Sequence, residues 1–189
     1  HADTRNRLGR RLALTQYDAP TGLAVTTIWQ FYDGIPVVRA WTEVENRGSA
    51  PQGLEYVSSF ALTGVEKEGL RSQDDKMRLW IPHHSWVREL QWQSYTLEQL
   101  GMAQARPLDD QRSSKAIGVS NTGNWSAKQY LPMGYLENLE TGSNLFWQIE
   151  HNGSWHWELD DEDGNLSLKL SGPTEIESHW WKELAPGET

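Results

Sequence analysis

Leu145-Phe146-Trp147-Gln148-Ile149-Glu150-His151-Asn152-Gly153-Ser154-Trp155-His156-Trp157-Glu158-Leu159 is the stretch whose reading decides the fold. Leu145, Trp147 and Ile149 alternate with polar or outward partners, and Trp155, Trp157 and Leu159 do the same. A period of two marks half-buried strands, and Asn152-Gly153 marks a bend between them. A strict two-residue Asn-Gly loop would put Ile149 and Trp155 on opposite faces. A three-residue loop, His151-Asn152-Gly153 with Gly153 left-handed in a bulge, puts them on one face. The second register makes that face wholly apolar. It predicts a hairpin in which Trp147 meets Trp157 and Leu145 meets Leu159. A third strand is expected at Leu166-Ser167-Leu168-Lys169-Leu170, after an acidic turn at residues 160–165.

Outward from this stretch the chain repeats the same grammar. Arg11 to Gln16 alternates weakly, and Asp18-Ala19-Pro20-Thr21-Gly22 is turn chemistry. Leu23 to Tyr32 is β-branched and aromatic, hence a strand. Asp33-Gly34-Ile35-Pro36 breaks it, and Val37 to Glu45 returns as its hairpin partner, closed by Asn46-Arg47-Gly48. Leu54 to Leu62 is a further strand. Residues 64–75 read as a loop, and Met77 to Ile81 as a short strand stopped by Pro82. His83 to Trp86 then reads as a loop, and Val87 to Tyr95 as a strand. Leu97 to Met102 fits one helical turn, and Pro107 to Ser114 is polar. Ile117 to Ala127 is rich in Ser, Asn and Gly. Tyr130 to Asn138, broken by Pro132 and Gly134, reads as irregular or edge-like. Glu175 to Leu184 is expected as the last strand. Strands and turns at roughly ten-residue spacing are the pattern of a sandwich.

Bulk properties narrow the function. At 189 residues the chain is long enough for a substantial core. A net charge of -9 argues against duplex nucleic acid and anionic membranes as partners. No apolar run approaches the ~20 residues of a membrane helix. Cysteine is absent, so no disulfide framework or thiol chemistry exists. That composition fits a bacterial-type cytoplasm. No signal peptide is visible, although an opening on His1-Ala2-Asp3 rather than Met leaves a removed leader open. The unusual number is 11 Trp, which suits both large β cores and sugar-stacking surfaces.

Candidate chemistry is sparse. Asp160-Asp161-Glu162-Asp163-Gly164 lacks the alternating ligands and distal Glu of a calcium loop and reads as a solvated turn. His83 and His84 are adjacent, and adjacent strand residues point to opposite sides, which argues against a shared metal. With Trp80, Trp86 and Arg88 they form the one candidate contact site, for a carbohydrate or for a neighbouring domain. In that reading the Trp faces stack, and His and Arg88 reach hydroxyls. The bland alternative is a core edge. His151, His156 and His179 have no metal-ligand spacing, and no nucleophile elbow occurs. No carboxylate pair is framed for glycoside chemistry. The expectation is therefore no catalytic residue, no metal and no cofactor. Asn124, Asn152 and Asn165 head glycosylation sequons that matter only in a secreted eukaryotic protein.

The segment DGIPVVRAWTEVENRG, residues 33–48, resembles the N-terminal domain of family 36 glycoside hydrolases, the α-galactosidase or melibiase family. The similarity rests on the strand with its Pro36-Val37-Val38-Arg39 element and the Asn46-Arg47-Gly48 turn. Ser59-Phe60-Ala61-Leu62, the aromatic stretch Phe146 to Trp157, and the exit Leu184-Ala185-Pro186-Gly187-Glu188 also resemble that family. The resemblance implies an all-β fold, a β-supersandwich of two large, mainly antiparallel sheets like that of galactose mutarotase. It spans residues 9–189 as one domain, with residues 1–8 an extended lead-in. It also implies that the two catalytic aspartates of a retaining mechanism lie in a (β/α)8 barrel that this chain lacks.

Three functional classes follow. The first is a non-catalytic N-terminal accessory domain that packs on the barrel of an α-galactosidase-like hydrolase and supports substrate access or oligomerisation. Its partners would be that barrel, α-galactoside sugars and further copies of the parent. The second is a free-standing carbohydrate-binding module. The third is a mutarotase-like epimerase, which needs a positioned His and carboxylate. The expectation for the chain alone is no hydrolysis of α-galactosides.

Overall fold

The alternating aromatic segments do become strands, and the computed structural model describes residues 9–102, 115–161 and 164–189. The readings of residues 1–8 and 107–114 lie outside that range. Among the described residues strand dominates, in four antiparallel sheets, and helix is confined to two single turns, α1 (Gln73–Lys76) and α2 (Glu175–Ser178). The described residues divide into two compact units, one from residues 9–60 with 181–189, the other from those between 61 and 180.

The first unit is built on β1 (Arg11–Asp18), β2 (Leu23–Phe31) and β3 (Val38–Asn46), in that spatial order. The predicted β2–β3 hairpin forms along its whole length, from Leu23 opposite Asn46 to Phe31 opposite Val38. The turn after β1 uses its expected chemistry. Asp18 Oδ2 accepts from the Thr21 amide and hydroxyl, and the Gly22 amide donates to the Asp18 carbonyl. Gly22 has φ +75, and a Cβ there would stand 2.4 Å from Gly48 Cα. Leu54 to Leu62 is not one strand. It splits into β4 (Gln52–Leu54) and β5 (Ser58–Thr63), and β5 carries the chain into the second unit. Trp29 and Trp41 are half-buried. Trp41 lies under the guanidinium groups of Arg11 and Arg39.

The C-terminal segment departs from its expected strand. A Thr-x-x-Glu signal at Thr174 starts a helical turn, α2 (Glu175–Ser178), because the Thr174 hydroxyl accepts the Glu177 amide. His179, left-handed at φ 54, ends it. Only β13 (Lys182–Leu184) is strand, paired with β4. Asn46, fully buried, holds this exit: its Nδ2 donates to the Ala50 and Leu184 carbonyls, and its Oδ1 accepts the Gly48 amide.

The second unit is a two-sheet sandwich. One sheet runs β10 (Asn144–Gln148), β9 (Met133–Asn138), β6 (Met77–Ser85), β7 (Arg88–Thr96). The other runs β5, β12 (Ser167–Ser171), β11 (Trp155–Asp160), β8 (Ala116–Asn121). The hairpin expected between residues 145 and 159 is therefore absent. β10 pairs with β9, and β11 pairs with β12 and β8, in different sheets. Trp147 and Trp157 do meet, but across the sandwich, with ring centroids 5.2 Å apart at 78°. Gly153 accordingly is not among the positive-φ residues. The apolar alternation identified the inward face of each strand, since Trp147, Trp155, Trp157 and Leu159 are buried. It did not identify the pairing. A sheet-to-sheet crossing satisfies the same pattern as a hairpin, because both bury one face of each strand. The third strand, β12, pairs with β11 and sets Leu168 opposite Leu159.

Two breakers behave differently from their reading. Pro82 sits inside β6 instead of ending it. The Pro82 carbonyl accepts the Leu131 amide, so its nitrogen also faces that side, where the β9 ladder has already ended at Trp80 opposite Tyr135. Gly134 lies inside β9, a central strand, and not in an irregular edge. A Cβ at Gly134 would fall 2.2 Å from Trp147 Cζ2, so the glycine makes room for the indole. Leu97 and Met102 close one helical turn through the Met102 amide and Leu97 carbonyl, both side chains fully buried.

Candidate functional site: an aromatic hairpin tip

β6 and β7 pair from Arg78 opposite Thr96 to Ser85 opposite Arg88. The β9 ladder supports β6 as far as Trp80 and residues 129–131 continue beside Pro82 to His84, so only the end of the β6–β7 ribbon, joined at Trp86-Val87, is unflanked among the described residues. His83 and His84 are strand residues, not the loop that Pro82 suggested. The register shifts between His83 and Ser85, which leaves an extra residue on β7.

The tip is apolar and strained. Trp86 is 79% exposed, Val87 74% and Leu90 52%. Val87 (φ 65) and Leu90 (φ 54) are two of the three non-glycine residues with positive φ among the described residues. A β-branched residue resists that conformation, and such strain concentrates where a chain does something other than fold. Trp125, 51% exposed on the segment after β8, meets Trp86 edge to face at 6.2 Å. That segment is anchored by Asn121 Nδ2, which donates to the Trp125 carbonyl, and by Trp155 Nε1 on the Ser126 carbonyl at 2.7 Å. Trp125 carried no signal beyond being one more Trp in a Ser- and Gly-rich stretch.

The five residues singled out in the sequence do not form one constellation. Trp80 stands on β6 opposite in facing to the buried Leu79 and Ile81, and its Nε1 donates to Glu137 Oε2 at 2.9 Å. His83 faces the other way, its Nε2 2.9 Å from the Tyr95 hydroxyl and its ring against Tyr130. His84 Nδ1 is enclosed without a hydrogen-bond partner. Trp86 stands at the tip, and Arg88 is exposed on the returning strand. Trp80 and His83 are thus engaged within the sheet, and Trp86 is the member of the set that projects.

A second cluster lies on β8, β11 and β12, on the face of the sheet away from Trp157. Ser120 Oγ is 2.7 Å from His156 Nδ1, and His156 Nε2 is 3.6 Å from Glu158 Oε2. Lys169 Nζ bridges Glu158 Oε1 and Asp160 Oδ2, each at 2.9 Å. Burial works to raise the Glu158 carboxyl, but the Lys169 ammonium and His156 outweigh it and hold it below its usual range. Asp160 and Glu158 hold the Lys169 ammonium well above its ordinary value. His156 has no metal-ligand spacing, and what assembles it with a carboxylate is the strand period, which puts residues 156 and 158 on one face. The acidic turn resolves in part: Asp161 Oδ1 accepts the Lys115 amide, whereas Glu162 and Asp163 lie outside the described residues. Among the described residues no group of three His, Asp or Glu is placed to hold a metal ion. A cleft of about 230 Å³ between the sheets is lined by Leu62, Val65, Met77, Leu136 and Leu145, and its one carboxylate, Glu68, is engaged by the Ser143 hydroxyl.

Solved structures share this architecture. An α-galactosidase from Lactobacillus brevis superimposes with a TM-score of 0.75 at 19% identity, over 98% of this chain and 22% of its own. The chain has the fold of a segment of family 36 α-galactosidases. The family 36 enzyme AgaA from Geobacillus stearothermophilus gives 0.73 at 17% identity, over 94% of this chain and 22% of AgaA. The galactosidase domain of the α-galactosidase-sucrose kinase AgaSK gives 0.74 at 16%, over 99% and 23%. The chain thus spans little more than a fifth of the family 36 structures it matches. No protein-family model and no curated protein matches the sequence. No helix is long and apolar enough to cross a membrane among the described residues.

Proposed function

We propose that this chain is the N-terminal accessory domain of a longer α-galactosidase-like retaining hydrolase and carries no catalytic group of its own. The observation that carries this reading is the asymmetry of the match: 94–99% of this chain against 22–23% of each α-galactosidase. The Trp86-Val87 tip is the contact with the catalytic barrel. An exposed, strained, apolar ribbon end has little to gain from water and much from a partner surface. Trp80, His83, His84 and Arg88 support that ribbon rather than contacting sugar directly. Docking of the tip would fix the barrel's approach for α-galactoside substrates and, in the full-length protein, its assembly with other copies. The compartment is a bacterial-type cytoplasm, in keeping with the cysteine-free sequence.

The test uses the isolated chain and the separately produced remainder of its parent. The chain alone should release no aglycone from a chromogenic α-galactoside above a mock preparation. It should bind the remainder in a titration calorimeter, and Trp86→Ser should weaken that binding at least tenfold without changing the melting temperature. A second reading, a free-standing carbohydrate-binding module, draws on the exposed Trp86–Trp125 pair. Quenching of Trp fluorescence by galactosides, abolished in Trp125→Ala, together with no binding to the remainder, would replace the first reading with the second.

A further inference from the structure

β1 is the edge strand of its three-stranded sheet, and no described strand pairs with its outer side. All eight of its residues are exposed, including Leu12 at 55%, Leu14 at 53% and Tyr17 at 58%. Its ladder with β2 fixes which backbone groups are used. The Arg10 carbonyl accepts the Phe31 amide, so residue 10 faces β2. Backbone groups alternate along a strand, so residues 12, 14, 16 and 18 also face β2. The amides and carbonyls of Arg11, Ala13, Thr15 and Tyr17 therefore point outward, and no described residue bonds to them. Natural edges are blunted by Pro, Lys, bulges or brevity. β1 has no Pro, Lys or bulge, its two charges stand only at its ends, Arg11 and Asp18, and its register with β2 runs unbroken between them. The opposite edge of the sheet is different. Thr42 on β3 donates to the Ser58 carbonyl, and the Asn46 amide donates to the Glu188 carbonyl.

We infer that β1 is a self-pairing edge that joins two copies of this chain through a continuous antiparallel sheet. The occupant is argued from the strand's own pattern. The four outward residues are centred on Leu14, so a two-fold axis at Leu14 uses all of them. Arg11 then pairs with Tyr17 of the second copy, and Ala13 with Thr15, giving about eight inter-strand hydrogen bonds. The same axis sets Leu14 against Leu14 and Arg10 against Asp18, so apolar meets apolar at the centre and opposite charges meet at both ends. The contact is isologous and closes at two copies. This inference does not depend on the docking reading of the Trp86 tip.

Sedimentation equilibrium of the purified chain across micromolar concentrations tests it, with amide hydrogen exchange as the second readout. Dimers should form with rising concentration, and the amides of Arg11, Ala13, Thr15 and Tyr17 should become protected only as they do. Amides of Leu12, Leu14 and Gln16 should be protected throughout. Ala13→Pro removes one outward donor and leaves the β1–β2 ladder intact, so it should raise the dimer dissociation constant at least tenfold and leave the melting temperature unchanged at concentrations where both chains are monomeric. Leu14→Asp, which sets two carboxylates on the axis, should do the same. A chain that stays monomeric, a dimer indifferent to both variants, or open-ended polymers would overturn the inference. Protection of the odd-numbered amides in a monomer would also overturn it, since the edge would then be covered from within the chain.

Discussion

Gly134→Ala probes the cross-sheet arrangement of the second unit most directly. The added Cβ would lie 2.2 Å from Cζ2 and 2.6 Å from Cε2 of Trp147. Ordinary contact begins near 3.4 Å, so the indole must retreat by more than an ångström. It has no free direction, because Trp157, fully buried, stands against it edge to face. Overpacking of this kind costs about 1–3 kcal/mol. In opposition, replacing glycine in a strand interior gains roughly 0.5–1 kcal/mol of backbone entropy. The net expectation is a loss of about 1–2 kcal/mol in urea unfolding followed by far-ultraviolet circular dichroism. Trp147→Ala alone should cost about 3–5 kcal/mol, as large aromatic deletions in cores do. In that background the obstruction is gone, and Gly134→Ala should become neutral or stabilising. The sign change is the decisive quantity. Equal costs in both backgrounds would refute the argument that Gly134 exists to seat the Trp147 ring.

Asn46→Ala removes three hydrogen bonds of a buried side chain, one buried and two part-buried, and strands the Ala50 and Leu184 carbonyls, so unfolding stability should fall by roughly 2–3 kcal/mol. Calorimetric melting checks this, and a change under 1 kcal/mol would contradict it. Lys169→Met should cost about 1–2 kcal/mol, below the range for enclosed ion pairs, because Lys169 and Glu158 keep 35% and 28% of their side-chain surface. Glu158 is depressed in the folded state, so its contribution is complete above its unfolded value of about 4.3 and is lost as pH falls through the lower folded value. Lys169 is raised, so its contribution is complete below about pH 10.4 and fades only in strong alkali. Glu158→Gln should flatten the acid limb of a stability–pH curve and leave the neutral plateau level. Val87→Gly should stabilise the chain by about 1 kcal/mol in thermal melts, since glycine accepts φ 65 without steric cost.

How far the sequence could be read depended on whether a feature is local. The β2–β3 hairpin, the Asp18–Gly22 turn and strand β12 were legible because their signals and their partners are neighbours in the chain. The inward faces of β10 and β11 were legible for the same reason, being a matter of period two. Their partners were not. Leu145, Trp147 and Ile149 fit a hairpin with residues 155–159 as well as they fit a sheet facing them, and only the ladders of β9 and β12 distinguish the two. Pro82 misled because a proline ends a strand only where its missing amide was needed, and that depends on how far β9 extends. The strand expected at Glu175 to Leu184 overlooked the capping pair Thr174 and Glu177, which lies beside an apolar and aromatic run.

The candidate site shows the same division. A pair of Trp around two His was visible, but facing was not, because the region was read as a loop. Once His83 and His84 belong to β6, period two sends Trp80 and His84 one way and His83 the other, and the shared platform dissolves. What remains is Trp86, and it gains significance from features no sequence pattern announced: the left-handed Val87 and Leu90 and the arrival of Trp125 from another strand's end. The motifs that carried the family resemblance have a different use. Asn46-Arg47-Gly48 and Leu184 to Glu188 lie far apart in the chain, yet Asn46 bonds the Leu184 carbonyl, and the Asn46 amide and carbonyl pair with Glu188 and Gly187. The two motifs are one structural joint. It anchors the C-terminal exit of the first unit, and it explains how motifs with no catalytic residue can mark a fold: each is the other's hydrogen-bond partner.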